Sequence, residues 1–243
     1  MNFIVGRQPI IEALHSETLI EKILIANGAH GEPIAAIRQL ARTKNILCSD
    51  VPSEHLTKHS RANTQGVLAI LGEKEYCEFE DILAIAQQRG EKPFILIFDE
   101  VEDPHNLGAL IRTAFCTGAH GGIIPKHHSA SVNDTVAKTS AGASAHFPIA
   151  KVTNIAHTID ELKELGVWII GAEMNAEKSF IELDYTIPLA LVIGNEGKGI
   201  RRLVKEKCDF LAKILMKGSL DSLNVSVAGA LMMYEVMRKR NFK

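Results

Sequence analysis

No run of eighteen or more apolar residues occurs in the 243-residue chain, which removes a helical membrane span from consideration. The opening "MNFIVGRQPIIEALHSE" lacks a basic head, a long apolar segment and a small-residue cleavage site. No secretory leader is expected, and the cytoplasm is the expected compartment. Cysteine is scarce, and Cys48, Cys77, Cys116 and Cys208 form no CxxC pair. That spacing suggests neither a disulfide framework nor a zinc site, and the thiols read as reduced and structural. The ten histidines contain no HExxH or similar spacing that would set two imidazoles on one helical face, so no metal is expected. Excess positive charge is also missing. A formal net charge of −2 excludes a globally basic nucleic-acid binder, while a local patch could still follow a phosphate backbone.

What is present is an ordinary globular composition, 46% hydrophobic and 23% charged, with enough length for one large domain or a small one joined to a larger one. Residues 1–72 alternate short helical and strand-like pieces such as "PIIEALHS", "IEKILIA" and "QGVLAIL", an α/β module. The polar stretch "GEKEYCEFED" has no sustained period, so residues 73–91 read as a linker with a short helix. From residue 92 to 243, the apolar runs "FILIF", "GGIIP", "VWIIGA", "PLALVIG" and "LAKILM" alternate with helical patterns. This is the pattern of an α/β sheet with largely parallel strands, whose ligands gather at the strands' carboxyl ends.

Three stretches sit at such ends. In "FDEVEDPHNLGALIRTA", Asn106 is placed to cap a helix, and Arg112 is either a solvated helix charge or a site residue. In "LALVIGNEGKGI", three glycines in six residues suggest a ligand against bare backbone. A dinucleotide fingerprint would follow the first strand of its sheet, though, and Lys198 is out of frame for a P-loop. A tight strand-to-helix turn remains open, and Glu196 would repel a phosphate. In "SLDSLNVSVA", Ser222, Asn224 and Ser226 offer neutral donors and acceptors beyond what capping needs.

Together "NLGALIRTA", "LVIGNEGKGIRRL" and "ILMKGSLDSLNVSVA" resemble, in order and spacing, the three motifs of the SpoU family of RNA ribose 2′-O-methyltransferases, within the SPOUT class. The likeness extends over the whole chain. "GRQPIIEAL" and "NTQGVLAIL" resemble the small ribosomal-protein-like RNA-binding domain of those members that methylate a guanosine of 23S ribosomal RNA.

The resemblance implies a C-terminal SPOUT α/β domain with a deep trefoil knot, an exception to the rule that chains are unknotted. It implies S-adenosylmethionine as cofactor, with Gly194, Ile214 and Leu223 around the adenosine and Gly197 and Asn224 along the methionine tail. By the same resemblance Arg112 is catalytic, with Asn106, Glu196, Ser222 and Asn224 completing the site, and the protein is a homodimer whose sites draw on both chains. A guanidinium cannot act as base, so Arg112 is expected to clamp an RNA phosphate and orient the hydroxyl, with His105 as the rival base. Residues 1–72 carry seven Lys and Arg against six Asp and Glu, so RNA recognition there must be local. Arg7, Lys58, Arg61 and Gln65 are its expected contacts, although an ordinary solvated loop would have the same composition. Two alternatives stand beside this reading: a tRNA guanosine 2′-O-methyltransferase of the same family, and a non-catalytic ribosome-assembly factor.

Overall fold

The apolar runs of the first seventy residues become β1 (Phe3–Val5), β2 (Ile20–Ala26), β3 (Leu47–Val51) and β4 (Val67–Leu71), interspersed with α1 (Arg7–His15), α2 (Glu32–Thr43) and α3 (Ser53–His59). The structure is a computed structural model that describes residues 3–16, 18, 20–59, 63–72, 75–218 and 222–240. The strands lie in the order β1-β4-β2-β3, antiparallel except for the β2–β3 pair. Alternation along β2 explains the layering, because successive side chains of a strand point to opposite faces. Ile23 and Ile25 pack with Ile10, Leu14, Ile34 and Ile37 of α1 and α2, whereas Leu24 and Ala26 pack with Leu56 of α3.

The boundary differs from the expected linker. The chain divides into Met1–Lys74 and Glu75–Lys243, and α4 (Phe79–Gln88) belongs to the second unit. Its Phe79 and Ile82 enter that unit's core, and Cys77 bridges Ala150. Burying two large apolar side chains outweighs the polar composition of the stretch before them.

The remaining elements follow in chain order. They are β5 (Phe94–Phe98), α5 (Pro104–Cys116), β6 (Gly121–Pro125), α6 (Asp134–Thr139), α7 (Ala143–His146), β7 (Ile149–Val152), α8 (Ile155–Glu164), β8 (Trp168–Ala172), β9 (Lys178–Ser179), β10 (Leu189–Ile193), α9 (Arg202–Lys207), β11 (Phe210–Lys213) and α10 (Val225–Lys239). The strands form a parallel sheet in the order β7-β6-β5-β10-β8-β11-β9. Both faces are covered. Phe94, Leu96 and Phe98 of β5 pack on the side of α5 and α10, and Ile95 and Ile97 pack on the side of α4 and α8. Burial on two faces makes these strands continuous apolar runs. The run "LAKILM" is shorter as a strand than its composition suggests, since β11 ends at Lys213 and Leu215 and Met216 are exposed.

Glycines let α5 pack closely on two helices. A Cβ on Gly108 would lie 2.7 Å from Thr139 Cβ of α6, and one on Gly229 of α10 would lie 2.4 Å from Leu110 Cδ2. On its other side α10 exposes Val227, Leu231 and Tyr234, spaced along one helical face. No described helix is long and apolar enough to cross a membrane. None of the four cysteines forms a disulfide. Burial, reinforced by Asp209, pushes the Cys208 thiol up to about 12, which leaves it protonated and unreactive at neutral pH.

Candidate active site

The central strand β10 delivers the glycine loop to the carboxyl edge of the sheet, and each of the three glycines has a different job. The loop folds back on itself, with the Asn195 N–H donating to the Gly199 carbonyl and the Gly199 N–H to the Asn195 carbonyl, both at 2.9 Å. At Gly194 a Cβ would stand 2.3 Å from the Gly199 carbonyl carbon, and Gly199 has φ +67°. Both positions therefore require glycine for the turn itself. Gly197 is under neither demand, its nearest neighbour to such a Cβ being Asn195 Oδ1 at 3.7 Å. Asn195 Oδ1 accepts from the N–H groups of Gly197 (2.9 Å) and Lys198 (3.2 Å), closing an Asx turn.

The three sequence motifs meet at Glu196. Asn106 Nδ2 donates to Glu196 Oε2 at 3.0 Å. Asn224 Nδ2 donates to Glu196 Oε1 at 2.9 Å and to Asn106 Oδ1 at 3.1 Å. Each carboxylate oxygen thus has its own amide donor, and the carboxylate fixes which way both amides face. Asn224 is also the cap of α10, its Oδ1 accepting from the Ser226 N–H at 2.9 Å. Asn106 is not the cap of α5. That role falls to Asp103, whose Oδ1 accepts the His105 N–H at 2.9 Å. Pro104 explains the shift, because its fixed φ and missing N–H suit the first helical position. Asn106 is thereby moved into the first turn, where it is buried and free for the triangle.

Beside this triangle opens a cavity of 420 Å³, walled by the loop 194–200, the segment 172–175 after β8, Ala212, Ile214 and Met216, and Ser222, Leu223, Val225 and Ala228. Gly194, Gly197, Ile214, Leu223, Glu196 and Ser222 of the expected site line it, and Asn224 reaches it through Glu196. Arg112 does not. It lies exposed on α5, with no hydrogen bond or ion pair among the described residues. His105 is exposed as well, its Nδ1 3.4 Å from Thr139 Oγ1. Sequence reasoning missed Glu173, Met174, Asn175 and Lys205, the first and last joined by an ion pair of 3.0 Å. The signal for the first three was available, since ligands collect after the carboxyl ends of parallel strands and 172–175 follows "VWIIGA".

In the N-terminal unit Arg7 and Gln65 bind each other. The Arg7 N–H donates to Gln65 Oε1 at 3.1 Å and Arg7 Nε to the Gln65 carbonyl at 3.0 Å, holding Gln65 at φ +50°. Part of the guanidinium is therefore committed to shaping the loop. Lys58 is exposed near the end of α3, and Arg61 lies outside the described residues. Among the described residues no group of three or more His, Cys, Asp or Glu is placed to hold a metal ion.

Comparison with known proteins adds two family matches. Residues 93–234 match the SpoU rRNA Methylase family, and residues 3–77 match a family described as RNA 2′-O ribose methyltransferase substrate binding. A Bacillus subtilis protein named for the TrmH family of tRNA/rRNA methyltransferases is 45% identical over 99% of this chain and 96% of its own length. The SpoU methyltransferase AviRb from Streptomyces viridochromogenes, solved with the cofactor AdoMet, superposes with a TM-score of 0.68 at 24% identity, over 98% of this chain and 90% of that one. The TrmH/SpoU tRNA modifying enzyme of A. aeolicus gives a TM-score of 0.57 at 33% identity, over 62% of this chain and 76% of that one.

Proposed function

The chain belongs to the SpoU rRNA methylase family and is an S-adenosylmethionine-dependent RNA 2′-O-methyltransferase; from that premise we propose that its substrate is the ribose 2′-OH of a guanosine in 23S ribosomal RNA. The observation that carries the site assignment is the convergence of Asn106, Glu196 and Asn224, from three separate motifs, beside one cavity. The cavity fits the cofactor in size and lining. Its 420 Å³ falls among ligand pockets of about 300–1,000 Å³. Ile193, Ile200, Ile214, Leu223 and Val225 suit an adenine ring, and Glu173, Asn195 and Glu196 add polar groups to the lining.

The cofactor supplies a methyl group on a sulfonium, and the chain must bring a ribose oxygen into line with it. Positioning of this kind accounts for up to about 7–11 kcal/mol of a barrier in well-oriented reactions. Gly194, Ile214 and Leu223 hold the adenosine in this reading, while Gly197 and Asn224 flank the methionine tail. Arg112 clamps an RNA phosphate and orients the hydroxyl, whose proton leaves through that phosphate or water. Asn106, Glu196 and Ser222 complete the polar surface. Arg7, Lys58, Arg61 and Gln65 hold the RNA on the N-terminal unit. The reading includes a cytoplasmic homodimer, a trefoil-knotted C-terminal segment and no metal requirement.

The substrate is tested by mapping ribose-methylated nucleotides in RNA from cells with and without the protein. Loss of one 2′-O-methylguanosine from 23S ribosomal RNA is the expected result. Loss from a tRNA instead, or no loss from 23S ribosomal RNA, would overturn the substrate.

A further inference from the structure

One buried carboxylate takes no part in the site described above. Asp99, at the end of β5, is 0% exposed. Arg201 satisfies it, donating its N–H to Oδ2 and its Nε to Oδ1, both at 2.8 Å, with the terminal NH2 2.6 Å from Oδ1. Glu100 adds a second tie. Its carboxylate lies 3.3 Å from Arg201 NH1, and its carbonyl accepts Asn195 Nδ2 at 2.9 Å. Glu100 has φ +60°, a left-handed conformation that a non-glycine residue keeps only when its surroundings hold it there.

The loop 194–201 is therefore fastened near both ends to the segment that follows β5, by Asp99 and Glu100 at Arg201 and by the Glu100 carbonyl at Asn195. Between the fasteners lie Glu196 and Gly197, which form part of the cavity wall. A loop with three glycines loses much conformational freedom on ordering. If that loss fell at the moment of ligand binding, it would weaken the affinity directly. A buried carboxylate is itself costly unless fully paired, so a staple of this kind would be an expensive way to add stability alone.

We infer that Asp99, Glu100 and Arg201 are positioning residues for S-adenosylmethionine, holding the glycine loop in its binding conformation before the cofactor arrives. The inference rests on the cofactor reading above. A merely structural staple would change the melting temperature and leave the affinity of the folded protein as it is.

The test uses the full chain and measures S-adenosylmethionine binding by calorimetry, the melting temperature, and KM and kcat on a 23S ribosomal RNA substrate. Arg201→Met is expected to raise both Kd and KM for the cofactor about tenfold or more, with kcat at saturating cofactor within about threefold of wild type. Arg201→Lys should fall between, because a single ammonium cannot reproduce the guanidinium fork. A folded Arg201→Met protein with Kd within about twofold of wild type, or a loss confined to kcat, overturns the inference. Should Arg201→Met fail to fold, Glu100→Gln removes the carboxylate that pairs with Arg201 and leaves the Asp99 pair and the Asn195 turn intact. It must raise Kd by about threefold or more, and an unchanged Kd overturns the inference equally. A wild-type protein that binds no S-adenosylmethionine would sink the cofactor reading rather than this one.

Discussion

Arg112 is the only Lys, Arg, Asp or Glu between Asp103 and Lys126, and neither it nor any other residue of α5 lines the cavity. Six residues beyond Asn106 it stands about 9 Å along the axis and about 120° around it, exposed where Asn106 is buried. Its exposed guanidinium makes no ion pair among the described residues, which suits the phosphate clamp proposed for it. Arg112→Ala is therefore expected to slow methyl transfer by about a hundredfold or more while cofactor affinity stays within about twofold. A labelled-methyl assay alongside calorimetry measures both, and near-normal turnover would remove Arg112 from the chemistry. At this scale the sequence was readable where a residue sits in a motif. Asn106, Glu196 and Asn224 could be singled out, but their mutual hydrogen bonds could not, because they join positions 28 to 118 residues apart. Glu173 and Lys205 carried no motif, and their pairing depends on α9 meeting the segment that follows β8.

Among the elements α10 bears most on assembly. Its inner face packs Met232, Met233 and Val236 into the core, and its outer face leaves Val227, Leu231 and Tyr234 exposed. An apolar stripe on a well-packed helix marks a surface awaiting a partner. In the proposed homodimer that partner is a second copy of this chain, with the stripe self-complementary about a two-fold axis. Leu231→Asp is expected to convert the dimer to monomer in sedimentation at micromolar concentration, and wild-type protein sedimenting only as single chains would defeat the dimer. The pattern "VSVAGALMMYEVM" carries more apolar surface than one exposed helix face should. Strands were the most legible elements, because burial on both faces turns "FILIF" and "LALVI" into unbroken apolar runs. β9 has two residues, too few for any period to appear, and the cap of α5 was misplaced because Asp103 and Asn106 are both good caps and only Pro104 decides between them.

For the whole molecule the question is what the N-terminal unit contributes to a reaction whose recognised motifs all lie in the other. Its separate sheet and core were legible as a change in patterning near residue 72. The two-residue difference in boundary, and the transfer of α4, reflect apolar contacts that composition alone could not assign. The proposed trefoil knot is less legible still, since a knot is a property of the path of a whole segment and no local pattern encodes it. The N-terminal unit is close to neutral, seven basic against six acidic residues over 1–72, so it cannot gather RNA by bulk charge and must hold it through a few placed contacts. A fragment of residues 75–243 keeps an intact parallel sheet with both faces covered, which is what independent folding requires. It is expected to bind S-adenosylmethionine with wild-type affinity and to lose most methyl transfer to 23S ribosomal RNA, because the substrate is no longer held in register. Calorimetry and single-turnover methylation on one RNA transcript separate the two effects. If the fragment methylates that transcript at the full-length rate, recognition resides in the catalytic unit, and the Arg7–Gln65 clamp serves only to shape its own loop.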